Sequence, residues 1–273
     1  MVNFYNNINE LSVEPKKTGF KNIILSSDTE AKATYTPRKK LIQVDVDNYV
    51  STIYHELFHM ASSVYKDEIN YSGFRQSSNK LGFYNVGKGI NEGYTQLLTE
   101  RYFGYIKEVK GSYALEVHFV DKLEKIVGQE KMEKLYFNVD LPGLISELRQ
   151  YSSDDEISKF ITGMDFLTDH LVDRRLMSPE KNMIKNSLKN VNEFLLRTYA
   201  KKIKTELDNG ALTVDDFDQR LSEYVSSLDV GVRRGKHNYE FLTADIIQDS
   251  LRMALNDPKI TVENESTNNS MSK

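Results

Sequence analysis

The sequence predicts an α+β protein: a small amino-terminal sheet, antiparallel or mixed, with a histidine-bearing helix, followed by a mostly α-helical carboxyl-terminal lobe. Three observations predict it. Short apolar runs of strand length occupy residues 20–46, and the last of them alternates. From about residue 90 the apolar positions recur almost throughout at helical spacing. Between these regions lies a polar stretch, residues 66–89, punctuated by Gly73, Gly82, Gly87 and Gly89.

Residues 1–20 are Asn-rich, broken by Pro15 and Gly19, and read as an irregular lead-in. Strands are expected over Phe20–Leu25 and Lys32–Thr36, the second ended by Pro37. Leu41–Val46 alternates, with Ile42, Val44 and Val46 on one face. A helix then starts with Asp47 or Asn48 as its cap and is expected to run to about Tyr65. Tyr71–Phe74 and Leu81–Tyr84 are candidate arms of a hairpin. The next helix opens near Ile90, and others follow over Tyr113–Val127, Gln129–Phe137 and Leu144–Gln150, the last entered through Asp140 and Pro142. Ser153 to Glu156 has the form of a capping box ahead of a helix to about Leu171. Ser178-Pro179 starts a helix to about Leu207, and Thr213–Leu228 and Tyr239–Leu255 complete the set. Residues 1–107 are thus expected to form one lobe, 108–262 a helical lobe and 263–273 a disordered polar tail.

A net charge of −4 with scattered basic pairs argues against a nucleic-acid partner. No apolar run approaches the ~18 residues of a membrane span, and no signal peptide is visible at Met1–Asn7. A cytoplasmic location is the default, although a cysteine-free chain tolerates either redox environment, so secretion stays open. Oligomeric state is not encoded in any pattern. The absence of cysteine excludes disulfides, thiolate ligands and a cysteine nucleophile.

The chemistry concentrates in Tyr54-His55-Glu56-Leu57-Phe58-His59-Met60, a His-Glu-x-x-His pattern within a helical run. On a helix the two histidines lie ~40° apart and ~6 Å along the axis. Both imidazoles can therefore reach one tetrahedral zinc ion. Glu56, rotated ~100° from His55, can flank an open coordination position as the base acting on a metal-bound water. A catalytic zinc needs a third protein ligand. His118, His170, His237 or a carboxylate could supply it, and Glu92 is best placed, early on the next helix. Gly93 beside it removes a side chain where the two metal-bearing helices are expected to approach.

His55-Glu56-Leu57-Phe58-His59 followed by Asn91-Glu92-Gly93 resembles the gluzincins, the thermolysin-like metallopeptidases. The resemblance covers residues 41–106. It implies a zincin active-site helix, one zinc ion held by His55, His59 and Glu92, Glu56 as general base, and a peptide or protein substrate. These enzymes commonly carry aspartate four residues after the ligand glutamate; here that position is Gln96, whose amide oxygen can still accept from an imidazole, and Glu100 is a second candidate. A Tyr, His or Arg must also reach in to stabilise the oxyanion. Tyr94 is expected in the core, and His118 and His170 are expected to be structural. Peptide could be held along an exposed edge such as Leu41–Val46. The missing Gly-x-Met-Glu-Asn segment points to an endopeptidase rather than an aminopeptidase. The alternatives are a non-catalytic helical binding module stapled by zinc, or a zinc hydrolase of a non-protein amide. Asp208–Phe217 has part of the form of a calcium loop, but Leu207 falls where an oxygen ligand belongs, and Thr213 as a helix cap suffices.

Overall fold

The computed structural model describes residues 23–26, 33–45, 49–78, 84–104, 113–170, 178–228, 232–234, 237–239 and 244–255. The lead-in, the proposed cap at Asp47 or Asn48, the boundary at 107 and the tail lie outside them. The chain forms two compact units, Met1–Val191 and Asn192–Lys273.

In the first unit, strands β1 (Ile23–Ser26), β2 (Ala33–Thr36) and β3 (Leu41–Asp45) form a mixed sheet in the order β1-β3-β2. β1 runs parallel to β3, and β2 pairs antiparallel with it, Ala33 opposite Val44 and Tyr35 opposite Ile42. The alternation read from the sequence holds: Ile42 and Val44 are both fully buried. The sheet order corrects one expectation, because β3 is central and β2 forms an edge of the sheet.

Helix α1 (Tyr49–Ala61) packs on β2 and β3. It stops four residues before the expected Tyr65. The Ser62 and Ser63 hydroxyls donate to the Phe58 and Met60 carbonyls and satisfy the helix end. The β-branched and aromatic pair Val64-Tyr65 then enters a strand. That strand begins a four-stranded antiparallel meander, β4 (Ser63–Lys66), β5 (Ile69–Ser72), β6 (Arg75–Ser78) and β7 (Tyr84–Val86). The β4–β5 turn holds Asp67 and Glu68 at φ 52° and 65°, the left-handed pair that a two-residue hairpin requires. At the next turn Gly73 has φ +51°, and an added Cβ would lie 2.2 Å from the Tyr136 ring.

Helix α2 (Lys88–Phe103) crosses the centre of this unit and is buried along most of its length. It has no side-chain cap of its own. Asp165 of α6 (Asp154–His170) accepts from the Gly87 and Gly89 amides instead, both at 2.8 Å. Burial raises the Asp165 carboxyl to about 6 against these two hydrogen bonds. Helices α3 (Ala114–Val127), α4 (Gln129–Phe137) and α5 (Leu141–Leu148) complete the unit with the first part of α7 (Ser178–Asp208). Phe74, Tyr94 and Tyr136 form an aromatic cluster with centroids 5.4–5.7 Å apart. Tyr94 is fully buried, as expected, and its hydroxyl donates to Glu124 at 2.8 Å. Arg101 bridges Glu124 and Glu133, tying α2 to α3 and α4.

Gly93 corrects a second expectation. Its missing side chain admits the backbone of Glu116 on α3, 2.7 Å from where a Cβ would stand, not the histidine helix. The Ser153–Glu156 capping box forms with reciprocal bonds of 3.0 and 3.4 Å.

The second unit contains the rest of α7, α8 (Val214–Leu228), the hairpin β8 (Val232–Arg234) and β9 (His237–Tyr239), and α9 (Ala244–Leu255). Tyr239 was expected to open the last helix. It instead pairs with Val232 in the hairpin. Thr213 and Asp216 cap α8 reciprocally, so the calcium-loop likeness resolves into a helix–turn–helix. Among the described residues no helix is long and apolar enough to cross a membrane.

Candidate metal centre

α1 presents His55 and His59 on one face, and α2 presents Glu92 in its second turn. The two Nε2 atoms lie 3.0 Å apart, and Glu92 Oε2 lies 3.2 Å from the first and 3.3 Å from the second. Donors at zinc distances of ~2.0–2.1 Å in a tetrahedron stand about 3.3–3.4 Å from one another. The observed triangle is close to one face of that tetrahedron, and its fourth corner is left to the cleft. His55, His59 and Glu92 therefore form a cluster capable of holding a metal ion, each only 7% exposed.

Each histidine is oriented from behind. His55 Nδ1 donates to Gln96 Oε1 at 3.1 Å, which leaves the Nε2 lone pair for an ion. Glu100 Oε1 accepts from the Gln96 amide at 2.9 Å. The carboxylate thus acts on the imidazole through Gln96. His59 Nδ1 is surrounded by Ser72 Oγ at 3.4 Å, Thr95 Oγ1 at 3.5 Å and the Asn91 amide nitrogen at 3.3 Å. Its metal-binding tautomer donates to one of the two hydroxyls. Asn91 also accepts from the Phe74 amide at 3.2 Å, which fastens the β5–β6 turn to α2.

Burial favours the neutral form of Glu92, but the charges and hydrogen bonds of His59 and His55 outweigh it and hold the carboxyl well below its usual range. For Glu56 burial dominates and raises the carboxyl, opposed by the two histidines and by a hydrogen bond from the Tyr35 amide. Tyr35 thereby links the β2 edge to Glu56.

A cleft of about 370 Å³ opens on this cluster, lined by Glu56, His59 and Glu92, by Ala33, Thr34 and Tyr35 of β2, by Asn70, Ser72, Arg75 and Ser77 of the meander, and by Asn91 and Tyr113. Two of the lining side chains with chemistry to offer, Tyr113 and Arg75, carried no signal in the sequence. Tyr113, one of sixteen tyrosines, sits in left-handed conformation just before α3 and stacks on His55 with centroids 5.5 Å apart. The Glu92 charge and burial push its phenol far up, and its hydroxyl donates to Glu92. Arg75 places Nη1 4.0 Å from Glu92 Oε1. Of the other histidines, His170 stacks on Phe166 and bonds its carbonyl. His118 buries Nε2 without a hydrogen-bond partner among the described residues, and the side chain of His237 lies outside them.

The site is of the His-Glu-x-x-His type with a downstream glutamate, and the triad is consistent with a zinc-dependent hydrolytic centre beside the amino-terminal sheet. Comparisons of the chain with protein-family models, with curated proteins and with solved structures give no match.

Proposed function

We propose that this protein is a zinc metallopeptidase, with His55, His59 and Glu92 holding one zinc ion and Glu56 acting as general base. The observation that carries the reading is the triangle of Nε2, Nε2 and Oε2 atoms with a cleft on its open side and Glu56 on the cleft wall. A purely structural staple does not need a carboxylate there. When bound, zinc supplies a Lewis acid that polarises a carbonyl and lowers the pKa of its water to about 7.

Glu56 takes the proton of the attacking water and passes it to the leaving amine. Burial supports that role by raising its carboxyl, and the Tyr35 amide holds it in place. Tyr113, stacked on His55 on the cleft wall, would turn its hydroxyl from Glu92 to the oxyanion as that charge develops. The substrate lies along β2. Because the Tyr35 amide points toward Glu56, away from β3, strand alternation turns the Ala33 backbone outward on the same edge. An extended peptide can pair there, which favours internal cleavage.

The test is metal analysis with a peptide-library digest of wild type against Glu56→Gln. Both proteins should carry one zinc and only the wild type should cut. Equal cleavage by the variant removes Glu56 from the mechanism.

A further inference from the structure

The meander contributes a cation to the cleft. Arg75 Nε donates to Asn85 Oδ1 at 2.9 Å, which fixes the plane of the guanidinium, while Nη1 faces Glu92 Oε1 at 4.0 Å. Glu92 meets the imidazoles through its other oxygen, Oε2. Arg75 therefore stands at the side of the triad that the histidines do not use, a third exposed on the cleft wall. Besides His59, the charged side chains lining the cleft are Glu56, Glu92 and Arg75. Once a divalent ion sits on the triad, its charge and that of Arg75 exceed the two carboxylates, so the loaded cleft carries net positive charge. The wall around Arg75 is otherwise neutral and hydrogen-bonding, formed by Asn70, Ser72 and Ser77.

Resting on the peptidase reading, we propose that Arg75 selects substrates carrying a carboxylate next to the scissile bond, either an Asp or Glu side chain or the free carboxyl terminus. A planar guanidinium with its orientation fixed matches a carboxylate in two parallel hydrogen bonds, and the adjacent ion adds attraction for the same charge. Neutral isosteres such as Gln lose the charge-assisted bonds, which corresponds to about 10- to 100-fold in affinity.

Binding tests this without hydrolysis. Zinc-loaded Glu56→Gln protein is titrated with peptides of neutral sequence carrying one Glu or one Gln, each with a free or an amidated carboxyl terminus. The same set is repeated with Arg75→Gln and Arg75→Lys added, and zinc content is measured in every variant. The expected result is at least tenfold tighter binding of the carboxylate-bearing member, a ratio falling to near one in Arg75→Gln with zinc retained, and partial recovery in Arg75→Lys. Dependence on the Glu/Gln exchange identifies a side-chain carboxylate, and dependence on amidation identifies the terminus. Equal affinities, no binding of any peptide, or an Arg75→Gln protein that loses zinc overturns the proposal; the last outcome makes Arg75 a support for Glu92. The peptidase reading fails separately: Arg75-dependent binding by a wild type that cuts none of the peptides sinks catalysis and leaves the selectivity standing. Cleavage without acidic preference does the reverse.

Discussion

Gln96 presents its side-chain oxygen to His55 Nδ1 at 3.1 Å, and its orientation is set by Glu100, which accepts from the amide nitrogen at 2.9 Å. Were the amide turned over, a donor would face the Nδ1 proton and Glu100 would face an oxygen. The pair therefore fixes both the ring and its tautomer from one helix face, with positions 96 and 100 one turn apart.

Loss of that orientation should show in metal affinity. Gln96→Ala is expected to weaken zinc binding by about 10- to 100-fold, the usual cost of removing an outer partner of a ligand histidine. Glu100→Ala should cost less, since the amide oxygen remains. Competition with a chromophoric chelator measures both, and unchanged affinity in Gln96→Ala would show that His55 needs no support from this side.

Glu92→Ala should weaken zinc further than either change, because it removes a donor from the triad itself. Binding to the folded state alone also stabilises it, by about 4 kcal/mol when zinc is a thousandfold above its dissociation constant. Zinc should therefore raise the melting temperature of the wild type by several degrees and that of Glu92→Ala hardly at all. An equal rise in both proteins would mean that the ion binds elsewhere.

How much of this could be read from the sequence depended on how local each feature is. His55 and His59 share one helix, so their spacing alone puts them on one face. Glu92 required only that a second helix pass nearby. Arg75 and Tyr113 come from a β-meander and a helix start whose positions against α1 are set by tertiary packing, and nothing in their neighbours marks them. The strand over Ser63–Lys66 was missed because pairing with Ile69–Ser72 overrides a helical continuation. The central place of β3 follows from its parallel partner β1, and strand order leaves no local trace. Gly93 was legible as a close approach, while the helix it approaches was not.

That close approach sets a stability prediction. A methyl group at position 93 would stand 2.7 Å from the Glu116 carbonyl carbon and oxygen, which are backbone atoms and cannot rotate aside. Gly93→Ala must push α2 and α3 apart, so the better helix propensity of alanine is outweighed. A loss of about 1–3 kcal/mol is expected from overpacking, measured as a lower urea midpoint with chelator present. A variant as stable as wild type would show that the two helices separate at little cost.

His118 contributes to the acid limb of stability. It lies on α3 with Nε2 buried, and burial, followed by the positive charge of Lys122, outweighs the pull of Asp121 and, with a smaller contribution from Lys125, lowers its imidazole to about 4. In the unfolded chain the same group titrates near 6.5. Between those values the unfolded chain binds more protons at this position than the folded one, so the His118 contribution to stability rises with pH, while Asp165, raised to about 6, contributes with the opposite sign. The His118 contribution is complete above about 6.5 and is lost as pH falls toward 4. His118→Gln, which cannot take up the proton, should flatten the profile over that window. Urea denaturation at pH 7.5, 6, 5 and 4.5 with metal removed, so that zinc release does not contribute, measures the difference. Parallel profiles for wild type and variant would place the acid sensitivity on the carboxylates instead.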